Sequence, residues 1–487
     1  MQNHDEGERK YQVEFSAAEE ALLHTEYAGI VMMHHLWKAI GVENMLDNAG
    51  IQYGSQPKAA GEMSFMLNVQ PWIRSDSQRR AAQRFGGEPS PQQLEMDTLL
   101  SKLLTQPYSQ RKVNRFANTT RYNWQAFNRE RIAVLQKQSA FALHKKGVII
   151  VDDFPLPKPY AKEMTYLTSI WDNNLKHSVP GYAVVHLYYY HPHRPGYSLY
   201  VEPWLKTSAT GETRSKRGAR RRAQPGEERS KLDIALDALE AHLDLVSQVE
   251  AVIFDSWYTA RWLGHELSTL GITWIGDAKI HQKFQVGHHY LSTAEIFRCY
   301  RTRTRRLKGF AKKVQAVVIP ATIRPDPYTK VAQPVQLILV TGLTKKRDND
   351  KGYHLLVTNH LSWTMRHIVR LFSARPVIEQ EHRTGKQQAG WNDFHTRSLA
   401  ALQCHLALCL LRTTFLKLVT CLPALRDYSL DEFIEHGLAG VAILKIDPKQ
   451  KKLRVLLPPN SPLIALGDAL FGSNHDLVFT CKGAIPF

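Results

Sequence analysis

The stretch Gly147-Val-Ile-Ile-Val-Asp152, echoed further along by Val249-Glu-Ala-Val-Ile-Phe-Asp255, decides the fold class of this chain. Each is a short apolar run rich in β-branched residues, which reads as a buried strand, and each stops at an aspartate. In open sheets covered by helices, functional groups gather at the carboxyl ends of strands. Asp152 and Asp255 are therefore candidates for chemistry, beside the plainer role of capping a turn or a following helix. Around them, residues 182–190 and 197–201 read as two further strands joined by the turn-rich His191-Pro-His-Arg-Pro-Gly196. Leu232, Leu236, Leu239 and Leu243 carry helical periodicity over residues 228–247, a second helix is expected over 260–270, and a strand over 272–275. Three strands, helix, strand, helix, strand predicts an α/β fold with a mixed sheet and flanking helices.

The bulk properties narrow the partner. A chain of 487 residues with 43% hydrophobic content is long enough for several buried cores, and its formal charge of +18 calls for a polyanion. Nucleic acid is the first candidate and an anionic membrane surface the second. The five cysteines, Cys299, Cys404, Cys409, Cys421 and Cys481, are odd in number and lack C-x-x-C spacing. That argues against a disulfide framework or a zinc knuckle and fits a reducing compartment. No apolar segment opens the chain, so no signal peptide is expected. The apolar stretch 399–411 is interrupted by Gln403 and His405, and is expected to be a buried helix with no membrane span. The expected location is cytoplasmic, associated with the nucleoid.

Five regions follow from the patterning. Residues 1–140 are expected to form a helical N-terminal DNA-binding domain. Within it, residues 111–131 interleave arginines and lysine with Phe116, Tyr122, Trp124 and Phe127, a pattern suited to phosphate contact or to an ordinary amphipathic surface. Residues 141–279 hold the first part of the α/β core, with a basic loop at 214–222 containing Arg220, Arg221 and Arg222 as candidate DNA contacts. Residues 280–360 read as a β-rich insertion, with strands near 314–319, 335–340 and 353–357. Residues 361–425 return to helical pattern until Pro423. Residues 426–487 mix a short helix with strands such as 452–457, and no role is read for them.

The helical region supplies a third acid. Phe372, Arg375, Glu379 and Lys386 stand in the spacing F-x-x-R-x-x-x-E-x-x-x-x-x-x-K. A helix is expected to restart at Pro376, since proline is tolerated in a first turn. Arg375, Glu379 and Lys386 then share one face. Taken alone this is an ordinary salt-bridged surface helix, worth a few tenths of a kcal/mol per pair. Taken with Asp152 and Asp255 in a basic chain, it supplies three carboxylates of the kind that hold two divalent metals against a phosphate. Other signals are weak: His281, His288 and His289 lack partners at zinc-like spacing, and neither a P-loop nor G-x-S-x-G is present.

These blocks resemble the insertion-sequence DDE transposases of the group with a Y-x-x-R-x-x-x-E-x-x-x-x-x-x-K signature. The likeness is carried by Ile149-Ile-Val-Asp-Asp-Phe154, by Val252-Ile-Phe-Asp-Ser-Trp-Tyr258 and by Phe372 through Lys386, with Phe372 standing where the signature has tyrosine. The resemblance implies a ribonuclease H-like catalytic core interrupted by the β-rich insertion. Asp152, Asp255 and Glu379 would bind two Mg²⁺ or Mn²⁺ ions, with Asp152 preferred to Asp153 and Glu379 to Glu381. Arg375 and Lys386 would grip phosphates, with Phe372, Trp257 and Tyr258 beside the DNA. The function implied is recognition of terminal inverted repeats in double-stranded DNA, metal-dependent cleavage, and transfer of the cut ends to target DNA by a homodimer. A decayed or domesticated DNA-binding protein and a nuclease without strand transfer are the alternatives.

Overall fold

A computed structural model describes residues 12–17, 23–25, 27–54, 58–73, 78–86, 100, 103–161, 163–164, 166–172, 175–205, 221–310, 313–325, 331–343, 352–394, 397–422, 425, 428–438, 442–447, 452–457, 463–464 and 466. The chain divides into two compact units, one of residues 1–140 with 384–487 and the other of residues 141–383.

The first unit is built mainly of helices, among them Ala28–Ala39, Ala59–Val69, Gln110–Ala117, Trp124–Gln136 and Leu399–Thr420. The last runs nine residues past the apolar stretch that marks it in the sequence. Its 22 residues are long and apolar enough to cross a membrane by length and composition, yet 83% of its most apolar window is buried among the other helices. Trp37 and Phe415 pack there with ring centroids 6.1 Å apart. A four-stranded sheet completes the unit. It comprises β1 (Gln12–Ala17), β2 (Leu23–Thr25), β15 (Ala442–Asp447) and β16 (Lys452–Leu457), in the order β1-β16-β15-β2. The helical reading of residues 1–140 misses β1 and β2, because β1 pairs in parallel with β16, from the far end of the chain.

The second unit contains a 12-stranded sheet. Its strands are β3 (Val148–Pro157), β4 (Thr168–Asp172), β5 (His177–His191), β6 (Arg194–Trp204), β7 (Ala251–Phe254), β8 (Trp274–Asp277), β9 (Lys283–Val286), β10 (His289–Ser292), β11 (Arg305–Arg306), β12 (Gln315–Ile323), β13 (Gln333–Thr341) and β14 (Tyr353–Thr358). The order is β10-β9-β12-β13-β14-β8-β7-β3-β5-β4, with β6 on β5 and β11 on β12. β3 pairs antiparallel with β5 and parallel with β7, and β7 parallel with β8, so the sheet is mixed. The strands of residues 280–360 join this same sheet, because β14 pairs with β8.

Alternation in β3 and β7 sorts their side chains between two faces. Val148, Ile150, Ala251 and Ile253 lie in a core shared with Ile368, Val369, Phe372 and Ile378, so the helices Met365–Phe372 and Val377–Gln388 cover that face. The break between these helices has a local cause. Pro376 has no N–H to continue the ladder, and a turn forms in which Arg375 N–H donates to the Phe372 carbonyl at 3.0 Å.

Candidate active site

Register places the two aspartates side by side. β3 pairs with β7 through Val151 and Phe254, and the next residue on each strand is Asp152 and Asp255. Asp152 shares the face of Ile150 and so points toward the helix that carries Glu379 and the turn that carries Arg375. Asp153 takes the opposite face, where both of its oxygens meet Lys231 Nζ, at 3.0 and 2.9 Å, and Tyr258 Oη donates to it at 3.2 Å. The choice between the adjacent acids is thus made by the pleat: Asp152 faces Arg375, and Asp153 is held in an ion pair behind the sheet.

One guanidinium gathers the three candidate carboxylates. Arg375 Nη2 donates to Asp152 Oδ2 at 2.8 Å and lies 3.8 Å from Asp255 Oδ2, while Nη1 donates to Glu379 Oε1. The other oxygen of each aspartate is fixed by backbone. Asp152 Oδ1 accepts from Asp153 N–H at 2.9 Å, and Asp255 Oδ1 accepts from Trp257 N–H at 2.8 Å. Both aspartates therefore turn their Oδ2 toward the Arg375 guanidinium. Glu379 keeps 56% of its side chain exposed, whereas Glu381 is buried, which separates those two acids by access.

The turn after Asp255 is tightly packed. Thr259 Oγ1 donates to the Asp255 carbonyl at 2.9 Å, and a Cβ on Gly276 would come within 2.4 Å of that hydroxyl oxygen and 2.6 Å of the Phe254 ring. Only glycine allows the backbone of β8 to pass so close to the Asp255 turn.

Burial is the first influence on the acids, because it penalises the charged form. It pushes the Asp152 carboxyl from 3.8 up to about 7, with Arg375 opposing and Asp255 reinforcing. Asp255 is also raised by burial, against Arg375 and the N–H groups of Trp257 and Tyr258. The charge, donor type and shared direction of Asp152, Asp255 and Glu379 fit a hard divalent cation, which prefers carboxylate oxygen. Among the described residues, no three His, Cys, Asp or Glu side chains stand ready around one point to hold such an ion. The cation the three acids share is Arg375.

The remaining expected contacts divide. Trp257 is 52% exposed, with Lys231 Nζ 4.7 Å and Lys279 Nζ 4.9 Å from its ring centroid, so two cations accompany one exposed aromatic side chain. Tyr258 and Phe372 do not belong with it. Both are buried, Tyr258 fully and Phe372 against His354, so neither ring has a face open to a base. Arg221 is paired with Glu227, and Arg222 with Asp237 and Glu240, so their charge is largely neutralised within the protein. Arg220 lies outside the described residues. Lys386 stands seven residues beyond Glu379 on the same helix, past the end of this unit.

Sequence patterning passed over a second basic segment. Arg301, Arg303, Arg305, Arg306 and Lys308 are all exposed, and among the described residues none forms an ion pair with a carboxylate. Arg366 lies over the adjoining turn, its Nη2 2.5 Å from where a Cβ on Gly309 would stand. The run R-x-R-x-R-R-x-K was its available signal, hidden among the charge-rich turns of the insertion.

Comparison with known proteins agrees with the sequence blocks. The DDE superfamily endonuclease family matches residues 91–323, a span that includes Asp152 and Asp255 and ends before Glu379. No curated protein matches the chain. Among solved structures, the cryo-EM structure of a piggyBac transposase synaptic complex with hairpin DNA aligns at 12% identity and a TM-score of 0.33, over 84% of this chain and 85% of that one. A TM-score so low carries no weight for the fold or the site. The family match covers two of the three sequence blocks, and over residues 91–323 the chain is similar to the DDE superfamily endonucleases.

Proposed function

We propose that this protein is a metal-dependent DNA transposase whose catalytic acids are Asp152, Asp255 and Glu379. The observation that carries the proposal is the convergence of these three carboxylates on the Arg375 guanidinium. The order β6-β5-β3-β7-β8, with the first three strands antiparallel and the last three parallel, supports a ribonuclease H-like core. The acids at the ends of β3 and β7 occupy the carboxyl edge at which sites of α/β sheets collect.

In this reading Asp152, Asp255 and Glu379 hold Mg²⁺ or Mn²⁺. Two such ions supply activation of a water or DNA hydroxyl nucleophile and neutralisation of charge at the scissile phosphate. The chain's own contribution is positional. Backbone N–H groups fix one oxygen of each aspartate, and the sheet register sets the spacing between them. Arg375 stabilises the clustered carboxylates, and its five-donor fork suits a phosphate once a divalent ion takes over that role. Lys386 on the same helix is a second phosphate contact. Trp257, with Lys231 and Lys279 beside it, is a surface for a nucleobase close to Asp255.

Double-stranded DNA is the partner that the basic charge and the exposed arginines support. Cleavage at paired terminal repeats, joining of the cut ends to target DNA, and action as a homodimer follow from the family resemblance. The test is cleavage of a duplex carrying the element's ends, with Mg²⁺ and with EDTA. Asp255→Ala is expected to abolish cutting while end binding stays within a few fold. Full cleavage by that variant would defeat the assignment, and cutting without joined product would leave a nuclease in place of a transposase.

A further inference from the structure

Within the other unit, a buried arginine lacks an acidic partner among the described residues. The helix Leu399–Thr420 is almost entirely apolar, yet it carries Arg412 at 2% exposure. Its guanidinium donates through Nη1 to the Ala389 carbonyl and, at 3.5 Å, to Cys409 Sγ, and through Nη2 to the Leu67 carbonyl at a long 3.4 Å. Nε has no partner, and among the described residues no carboxylate pairs with this arginine. Arg131, buried nearby in the same unit, is served differently. Its guanidinium donates to Asn128 Oδ1 at 3.0 and 2.7 Å and to Thr414 Oγ1 at 2.8 Å. A buried guanidinium cannot shed its proton, so charge without a counter-ion is costly to keep.

Arg412 lines a cavity of about 590 Å³. Three more arginines line it, Arg111, Arg115 and Arg397, together with His405, and among the described residues Asp393 is the one acid in the lining. Arg111 and Arg115 are four apart on the helix Gln110–Ala117, so they share a face, and both are exposed. The volume is within the range of small-molecule sites and exceeds what a bare ion needs. Four arginines on one cavity match a phosphate ester, which accepts several charge-assisted hydrogen bonds at once.

We propose that this cavity binds a phosphate-bearing ligand, with Arg412 at its floor and Arg111 and Arg115 at its mouth. The ligand is either a free nucleotide or a phosphate group of a nucleic-acid strand. The site is independent of the proposed cleavage chemistry, since no residue is shared with it.

The test uses the full chain and three probes: pyrophosphate, deoxyadenosine monophosphate, and an end-phosphorylated oligothymidylate. Thermal melting and titration calorimetry are read at low salt in EDTA. For the wild type, at least one probe should raise the melting temperature and give a saturable heat. Arg111→Gln with Arg115→Gln, at exposed positions that leave the core intact, should weaken that binding about tenfold or more. Arg412→Leu removes the buried charge and is expected to lose the response, with the exposed-position double variant separating lost binding from lost folding. Response to the small anions identifies a free ligand, and response to the oligonucleotide alone identifies a strand phosphate. A wild type that responds to none of the three overturns the proposal, as does binding retained in full by the double variant. Loss of DNA cleavage in Asp255→Ala bears on the catalytic reading alone, and that variant should keep the probe response.

Discussion

The behaviour of Asp152 follows from its place. It is a buried acid beside another acid, relieved by one arginine, and its carboxyl is raised to about 7 from 3.8. The folded protein therefore holds more protons on this group than the unfolded chain between those values, and stability falls as pH rises through that window. Asp152→Asn is expected to remove this dependence, so that in EDTA at pH above about 7 the variant melts higher than wild type. Melting curves against pH check this, and a variant with the wild-type slope would contradict it. Mg²⁺ should raise the wild-type melting temperature more strongly as pH approaches and passes about 7, because proton and metal compete for the same oxygen. It should do little for Asp152→Asn. Arg375→Gln is expected to lower stability in EDTA by about 2 kcal/mol, as for loss of a charged hydrogen bond, and Mg²⁺ should restore much of it. Urea denaturation with and without the metal measures both. Asp152, Asp255 and Glu379 could be singled out in the sequence because acid at the end of an apolar strand is uncommon company for a helical Arg-x-x-x-Glu. The burial of Phe372 and Tyr258 could not. An aromatic in a motif reads alike whether it faces a partner or the core, and only the packing of neighbouring elements distinguishes the two.

Strands and helices fared unequally. The short apolar runs that became β3 and β7 declare themselves, since a buried parallel strand is continuous in hydrophobicity. β4, β9 and β10 carry no such run, and they are strands because β4 pairs with the β5 that follows it and β9 and β10 pair with each other. The basic elements show the same contrast. The loop containing Arg221 and Arg222 stands out as a charge run, but Glu227, Asp237 and Glu240 come from the chain that follows and absorb it. The segment ending in β11 keeps its cations in solvent, on a helix terminus and a paired strand that hold them in place. If it lies along duplex phosphates, replacing Arg301, Arg303, Arg305 and Arg306 with Gln should reduce the salt dependence of DNA binding by up to about 3 to 4 in log–log slope. Replacing Arg221 and Arg222 should change it much less. Fluorescence anisotropy over a salt series measures both, and equal slopes for wild type and the four-fold variant would remove this segment from the DNA path.

At the scale of the molecule, two cores carry the chain. In the first unit the helix Leu399–Thr420 is the central element. Phe415, fully buried against Trp37, is expected to cost about 3 to 5 kcal/mol when truncated to alanine, measured by denaturant unfolding. The wide sheet of the second unit takes in strands from residues 148 to 358, far beyond what a local pattern can announce. The sequence by itself determined the α/β class, the two aspartate-ended strands and the helix of Glu379. Each of these is written in composition or in a period of a few residues. Tertiary structure alone decided which acid of the Asp152–Asp153 pair faces Arg375, which arginines are paired with carboxylates, and that Arg412 lines a cavity with no counter-ion among the described residues. Those outcomes depend on groups distant in sequence meeting in space, and electrostatic energy is set by that distance and by burial.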